Sequence, residues 1–401
     1  MLTLEHVKEA REVLKNVVYK TGLVHNTTLS EMSGNSVYLK MENLQKTGSF
    51  KVRGAYNKIA HLTEEEKKRG VIASSAGNHA QGVALGATSY GIKSTIVMPK
   101  HAPLSKVSAT KKYGAQVVLH GNVYDEAYAM AKKIQEETGA TFIHPFNDPY
   151  VIAGQGTIGL EILEDLPDTD VIVVPIGGGG LISGVALAAK SVKPEVKIIG
   201  VQTKNMPSMA VSISKNEVTT VEGMPTIADG IAVKTPGDLT FDMVQKYVDD
   251  IVTVDEDEIA NAILILLERA KVVTEGAGAV SVAAILNRLT HVKNKKVVAV
   301  VSGGNIDVNI LSRVIDKGLV KSGRKIFLDT FIPDRPGTLG RLLNLIADTG
   351  ANVLSVTHAR STKEVPIGFA KVELELETAD EEHVQRLKDV LIRHNYSINI
   401  Q

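Results

Sequence analysis

The sequence predicts an α/β protein: parallel sheets with helices on both faces, followed by a smaller βαββαβ module of the ferredoxin-like kind. Three observations carry this. Short Val- and Ile-rich runs recur with Ala-rich helical stretches between them, the alternation that builds parallel sheets. Gly accounts for 34 of 401 residues, many of them directly after such runs, where loops must let backbone come close to something. Past residue 325 the pattern changes to strict alternation. Val372, Leu374 and Leu376 oppose Lys371, Glu373, Glu375 and Glu377, as in a strand covered on one face.

Taken in order, residues 1–20 mix Glu, Lys and Arg with Leu and Val and read as an amphipathic helix, not a targeting segment. Buried strands are expected at 37–41, 71–73, 95–98, 116–119, 171–175, 197–201 and 297–302. Helices are expected at 78–90, 124–138 and 181–191. The polar, Gly-containing stretch 321–325 reads as a linker. After it come a strand at 326–332 and a helix carrying Leu339, Leu342, Leu343 and Ile346. Pro336 suits the first turn of that helix and Gly350 its C-terminal stop. Strands at 351–357 and 371–377, a helix at 380–394 and a strand at 396–400 complete βαββαβ.

Composition excludes several function classes. The 45 basic and 45 acidic side chains cancel, and no basic run offers a footprint for nucleic acid. No apolar run approaches the ~18 residues that a bilayer requires. The chain has no Cys, which removes disulfides, thiolate metal sites and a cysteine nucleophile. This usage fits a cytoplasmic protein.

Four motifs carry chemistry. The first is Gly177, Gly178, Gly179, Gly180 and Leu181, which follow an apolar strand and open a helix. A tight turn needs one or two glycines. Four in a row, with backbone N–H groups converging at a helix N-terminus, read as a phosphate cradle that no side chain enters. No Gly-Lys dipeptide exists, so it is not a P-loop. A dinucleotide-like spacing, Gly154-x-Gly156-x-x-Gly159, follows loop chemistry instead of a strand and lacks its acidic partner. Helix packing explains it better.

The second is Ser49-Phe50-Lys51. Most lysines are solvated surface charges, but Ser49 is expected to cap a helix and place Lys51 in its first turn. There the helix dipole disfavours a cation, and a neutral lysine is what imine formation with an aldehyde cofactor requires. The third, Ser74-Ser75-Ala76-Gly77-Asn78-His79, joins a strand to a helix and exposes N–H groups to a second anion such as a carboxylate. A capped helix start alone would explain Ser but not Asn-His after Gly. The fourth, Ser302-Gly303-Gly304-Asn305, ends a strand, where open parallel sheets hold ligands; a simple turn reads equally well there.

In this order the motifs resemble the fold type II pyridoxal 5′-phosphate enzymes, most closely the threonine dehydratases, over about residues 5–320. The resemblance implies a catalytic region at 1–320, with a smaller subdomain at about 50–150 inserted in a larger one. It implies that Lys51 holds the cofactor and moves protons, with Ser75 beside the reacting atoms. Phe50 would flank the pyridine ring and Asn78 would bond the 3-hydroxyl. Backbone from Gly177 through Gly178, Gly179 and Gly180 to Leu181 would hold the phosphate, and Ser302 would face the pyridine nitrogen. Ser75, Ala76 and Gly77 would meet the substrate carboxylate. The expected reaction converts L-threonine, and L-serine, to a 2-oxo acid and ammonia.

Residues 326–401 resemble an ACT domain, an amino-acid-binding regulatory module, through Asp334, Pro336, Gly337 and Leu339 in their strand–helix turn. This implies an effector at that turn, with isoleucine or valine expected, and assembly as a homotetramer or homodimer. Serine racemases are the nearest rival. In them a serine supplies a second base where this chain has Ala76, and acidic metal ligands follow a strand where 202–208 has no acid; no metal is expected here. A non-catalytic amino-acid sensor is the rival from another class.

Overall fold

The computed structural model describes residues 2–361 and 364–400. The chain divides into two compact units, Met1–Asp307 and Val308–Gln401. In the first unit, β1 (Leu23–His25) and β2 (Ser36–Lys40) precede β3 (Val71–Ser74), β4 (Ser94–Met98), β5 (Gln116–Leu119) and β6 (Thr141–Phe142). The last four form a parallel sheet of order β5-β4-β3-β6. Next come β7 (Val171–Pro175), β8 (Lys197–Thr203), β9 (Asp250–Val254) and β10 (Lys296–Val300). They join the first two strands in a six-stranded sheet of order β1-β2-β10-β7-β8-β9. It is parallel except for the antiparallel edge strand β1. The residues of the small sheet thus lie in sequence between β2 and β7 of the large one.

Each sheet has its own core. Ile172, Val174, Ile198, Val298 and Val300 of the large sheet pack with Ile182, Val185 and Ile158 from helices Gly180–Val192 and Pro149–Asp165. The small sheet buries Val71, Ala73, Ile96 and Met98 against Ala80, Val83, Ala84 and Ala87 of the helix Asn78–Ser89. Burial on both faces is what a parallel sheet demands of its strands. β5 departs from that expectation: as an edge strand it is only half-buried to exposed. Three strands, β1, β6 and β9, have no counterpart among the expected ones. β1 and β6 are only three and two residues long, too short for a periodicity to show. β9 is half-buried along most of its length and begins on Asp250, directly after Asp249, and these adjacent acids mask it.

The dinucleotide-like glycines all lie inside the helix Pro149–Asp165 and serve packing, as the sequence suggested. A Cβ on Gly154 would meet Arg53 O at 2.4 Å, and one on Gly159 would meet Val185 O at 2.8 Å. Arg53 itself is buried in a charged quartet. It donates to Glu42 and Glu161 at 2.6–2.9 Å, and Lys40 donates to Glu161 at 2.6 Å. Among the described residues no helix is long and apolar enough to cross a membrane.

The second unit opens with the helix Val308–Lys321. Residues 321–325, expected as a linker, close that helix and turn into β11 (Lys325–Pro333) inside this unit. Ion pairing of Lys325 with Asp316 and Glu375 joins the helix to the sheet. The helix Thr338–Asp348, β12 (Asn352–Ala359), β13 (Phe369–Glu377), the helix Glu381–Arg393 and β14 (Ile398–Ile400) follow. The sheet is antiparallel, of order β12-β13-β11-β14, and its inner face carries Ile326, Leu328, Val372, Leu374 and Leu376. The order is βαββαβ. Pro336 lies outside the helix it was expected to start, because Gly337, at φ +84°, is the N-cap. Gly350, at φ +89°, lies just past the C-cap Thr349.

Candidate active site

The helix Lys51–Ala60 begins at the N-cap Phe50, not at Ser49. Ser49 was expected to cap it, but its buried hydroxyl has no partner among the described residues and its backbone bridges Gly303. Phe50 N donates to Ser302 O at 3.2 Å, so the lysine turn is stitched to the end of β10. Lys51 is the first helical residue. Its Nζ donates to Pro145 O at 3.0 Å and lies 5.2 Å from the centre of the Phe50 ring. Burial lowers its pKa to about 8, against the opposing field of Glu275. About a tenth of the amine is then neutral at pH 7, several hundredfold more than for a solvated lysine. Gly82 makes the close approach of the next helix possible, since a Cβ there would lie 3.2 Å from Lys51 O.

Asn78 is the first residue of the helix Asn78–Ser89. Its Nδ2 donates to Glu275 Oε1 at 2.7 Å, and its Oδ1 accepts from Asn305 Nδ2 at 2.7 Å. Glu275 is the N-cap of the helix Gly276–Leu286, and its N–H donates to Gly303 O at 3.1 Å. Burial, and then the charge of Asp229, push its carboxyl up to about 7. His79 Nε2 donates to Ile143 O at 2.8 Å, and burial with the field of Lys51 takes its pKa down to about 3. At neutral pH it carries no charge. Ser75 Oγ accepts from Gly77 N at 3.1 Å, and a Cβ on Gly77 would find nothing within 4 Å. Ala76 is half-buried against the core of the small sheet.

Gly179, at φ +99°, is the N-cap of the helix Gly180–Val192. The glycine run does not simply leave an empty space. A Cβ on Gly177 would lie 3.1 Å from Ile231, and one on Gly178 2.4 Å from the Phe146 ring. On Gly179 it would lie 2.7 Å from Met209, and on Gly180 2.9 Å from Phe146 and Gln155. The glycines admit these neighbours laterally, while Leu181 packs into the core and the helix end keeps its free N–H groups. Ser302, just past β10, is buried and donates to Ala277 O at 3.3 Å.

One chain segment ties these parts together. Pro145 holds the Lys51 amine, and the next residue, Phe146, lies against Gly178 and Gly180. The structure therefore gathers Phe50, Lys51, Asn78, the Gly177–Gly180 run and Ser302 around one network, with Ser75, Ala76 and Gly77 on the turn just before Asn78. Three contributors were not singled out in the sequence: Glu275, Pro145 and Phe146. A Glu opening the Gly-Ala-rich stretch 276–284 was the one available signal for Glu275. An amine of lowered pKa and a glycine-built helix N-terminus fit a cofactor that carries both an aldehyde and a phosphate.

In the second unit, the turn before the helix Thr338–Asp348 is held by Thr338 Oγ, which donates to Pro333 O and Arg335 O at 2.8 Å. Asp334 pairs with Arg360 at 2.9 Å, and Leu339 is partly buried against the sheet core. A Cβ on Gly337 would meet nothing within 4 Å.

Comparison with known proteins agrees with this chemistry. The profile of the pyridoxal-phosphate dependent enzymes matches residues 14–303, and that of the ACT domain matches residues 326–392. The chain belongs to the pyridoxal-phosphate dependent enzyme family and carries a C-terminal ACT domain. It is similar to the L-threonine ammonia-lyase of Thermotoga maritima, with 67% identity over 400 residues and 100% of both chains covered. Among solved structures it resembles maize serine racemase, at 39% identity and TM-score 0.75, over 80% of this chain and 98% of that one. It also resembles the processed threonine deaminase isoform 2 of Solanum lycopersicum, at 38% identity and TM-score 0.74, over 78% and 88%.

Proposed function

We propose that the first unit dehydrates and deaminates L-threonine, and L-serine, to 2-oxobutanoate or pyruvate and ammonia, and that the second unit regulates it. The observation that carries this reading is the buried Lys51 amine, held 3.0 Å from Pro145 O one residue from the phenylalanine that packs on the glycine run. Full-length similarity to an L-threonine ammonia-lyase supports the choice of substrate.

When bound to Lys51, pyridoxal phosphate supplies the electron sink that lets the Cα–H bond of an amino acid ionise. The residues of this chain do the rest. The N-terminus of the helix Gly180–Val192 would hold the phosphate, and the amide of Asn78, fixed between Glu275 and Asn305, would orient the ring. Backbone N–H groups from Ser75 to Gly77 hold the substrate carboxylate. The Lys51 amine would take the Cα proton as base. Loss of that proton and of the β-hydroxyl as water leaves an enamine. Its tautomer takes up water to give the 2-oxo acid and ammonia. Ser302, buried just past β10, would offer the pyridine nitrogen only a neutral hydroxyl and so would not hold a full pyridinium charge, which favours elimination over transamination.

Likeness to a serine racemase gives the second reading its weight. Two observations count against it. Ala76 has no group to move a proton, and in the 202–208 stretch Gln202 Oε1 caps Ala210 N while Ser208 donates to Val233 O. The test is one reaction mixture assayed for both products: 2-oxo acid from threonine and serine, and D-serine from L-serine. Oxo acid with almost no D-serine supports the reading; substantial D-serine from the unmodified chain overturns it.

The regulatory reading extends to the effector. The open space at Gly337 and the helix N-terminus behind it suit a free amino acid's carboxylate, with isoleucine or valine the candidates. Homotetramer or homodimer assembly and a cytoplasmic location rest on the family resemblance.

A further inference from the structure

The helix Pro149–Asp165 is buried almost throughout 151–163, and only three polar side chains lie in that run: Gln155, Thr157 and Glu161. Thr157 and Glu161 both bond Arg53. Gln155 is 1% exposed, and neither its Oε1 nor its Nε2 has a partner among the described residues. A buried primary amide left wholly unpaired is expensive, and native structures seldom keep one without a reason. Its position supplies one. Oε1 lies 2.9 Å from where a Cβ on Gly180 would sit, and Nε2 3.0 Å from where one on Gly54 would sit. Gly180 is the first residue of the helix whose N-terminus the glycine run builds. Gly54 is on the helix that begins with Lys51. Gly154 and Gly156, on either side of Gln155, have no side chains to hold the helices apart. Cβ atoms there would lie 2.4 Å from Arg53 O and 2.9 Å from Gly184 O.

We infer that Gln155 is the side-chain ligand of the cofactor phosphate, donating its Nε2–H to a phosphate oxygen beside the backbone N–H groups of the cradle. The inference rests on the pyridoxal-phosphate reading above and adds one residue to it. Terminal rotation of the amide, which is nearly two-fold, exchanges Oε1 and Nε2 without moving the side chain, so the donor can face Gly180. No partner among the described residues holds it the other way. A hydrogen bond to a charged acceptor satisfies the amide that the fold alone leaves unpaired. The same argument predicts that the amide contributes nothing to the stability of the cofactor-free chain.

The test compares pyridoxal phosphate with pyridoxal, which lacks the phosphate, by fluorescence titration of the full-length cofactor-free protein. The variants are Gln155→Met, apolar and of similar length, and Gln155→Glu, of the same shape. Wild-type protein binds the phosphate ester far more tightly than pyridoxal. Gln155→Met loses roughly tenfold or more of its affinity for the ester and stays within about twofold for pyridoxal. Gln155→Glu loses more, because it sets a carboxylate beside the phosphate. Cofactor-free Gln155→Met unfolds at the wild-type temperature or above. Equal loss for both ligands, or no loss for either, overturns the inference, as does failure of both variants to fold. A wild type that does not distinguish the two ligands would instead refute the cradle itself.

Discussion

Asn78 Nδ2 donates to Glu275 Oε1 across 2.7 Å, joining the start of one helix to the N-cap of another. The acid is buried, and its pKa stands at about 7 instead of the usual 4.5. Its sign as a stability factor follows. A carboxyl raised on folding costs nothing below its unfolded pKa, where both states are protonated. The penalty grows as pH rises through the window between the two values and is complete above 7. Glu275→Gln keeps the acceptor for Asn78 and removes the charge. We expect it to stabilise the cofactor-free chain by on the order of 2–3 kcal/mol at pH 8 and by little at pH 4.5. Urea unfolding of both proteins across that range checks the slope.

Lys51 shifts the other way, to about 8. Only the neutral amine attacks an aldehyde, so cofactor incorporation into the cofactor-free protein should accelerate with pH and level off above a midpoint near 8. Stopped-flow absorbance gives that profile. A rate still climbing steeply at pH 10 would mean that Lys51 is an ordinary solvated lysine.

Ala76 offers a gain of function. Ala76→Ser places a hydroxyl where the chain has none and should add measurable racemisation of serine, while 2-oxo acid formation continues. Chiral chromatography of the serine pool reads it directly; a variant indistinguishable from wild type would show that the missing base lies elsewhere.

Arg53 sits between Glu42 and Glu161, all three buried. Arg53→Met leaves Glu42 without its ion-pair partner and Glu161 with Lys40 alone, and breaking such a group by removing one partner costs about 3–5 kcal/mol. Thermal unfolding should fall by several degrees or more. A loss under about 1 kcal/mol would mean that water reaches the site.

Regulation is separable. A chain ending at Asp307, where the first compact unit ends, should keep threonine turnover and lose any response to isoleucine or valine. Gly337→Asp, which strains a residue at φ +84° and sets a carboxylate in the open turn, should weaken that response. Unaltered responses in both would remove the regulatory role of the turn.

The parallel sheets, the glycine-run and amide-bearing loops and the βαββαβ order were legible because each rests on local pattern: β-branched runs, Gly clusters and period-two alternation. What was not legible depends on distant pairing. Ser49 has the composition of a cap, yet its backbone is taken by Gly303, and Phe50 stands at the helix start instead. Glu275 lies nearly two hundred residues from Asn78, and no spacing announces that contact. Phe146 looked like loop chemistry, and only the packed fold shows it filling the room that Gly178 leaves.

The most direct measurement is 2-oxobutanoate and ammonia formed from L-threonine by the full-length, cofactor-loaded protein, set beside Lys51→Ala. The account predicts both products in equal amounts from the wild type. It predicts none above background from the variant, whose lysine-bound cofactor absorbance is also gone. Near-normal turnover by Lys51→Ala, or no oxo acid from the wild type, would contradict it.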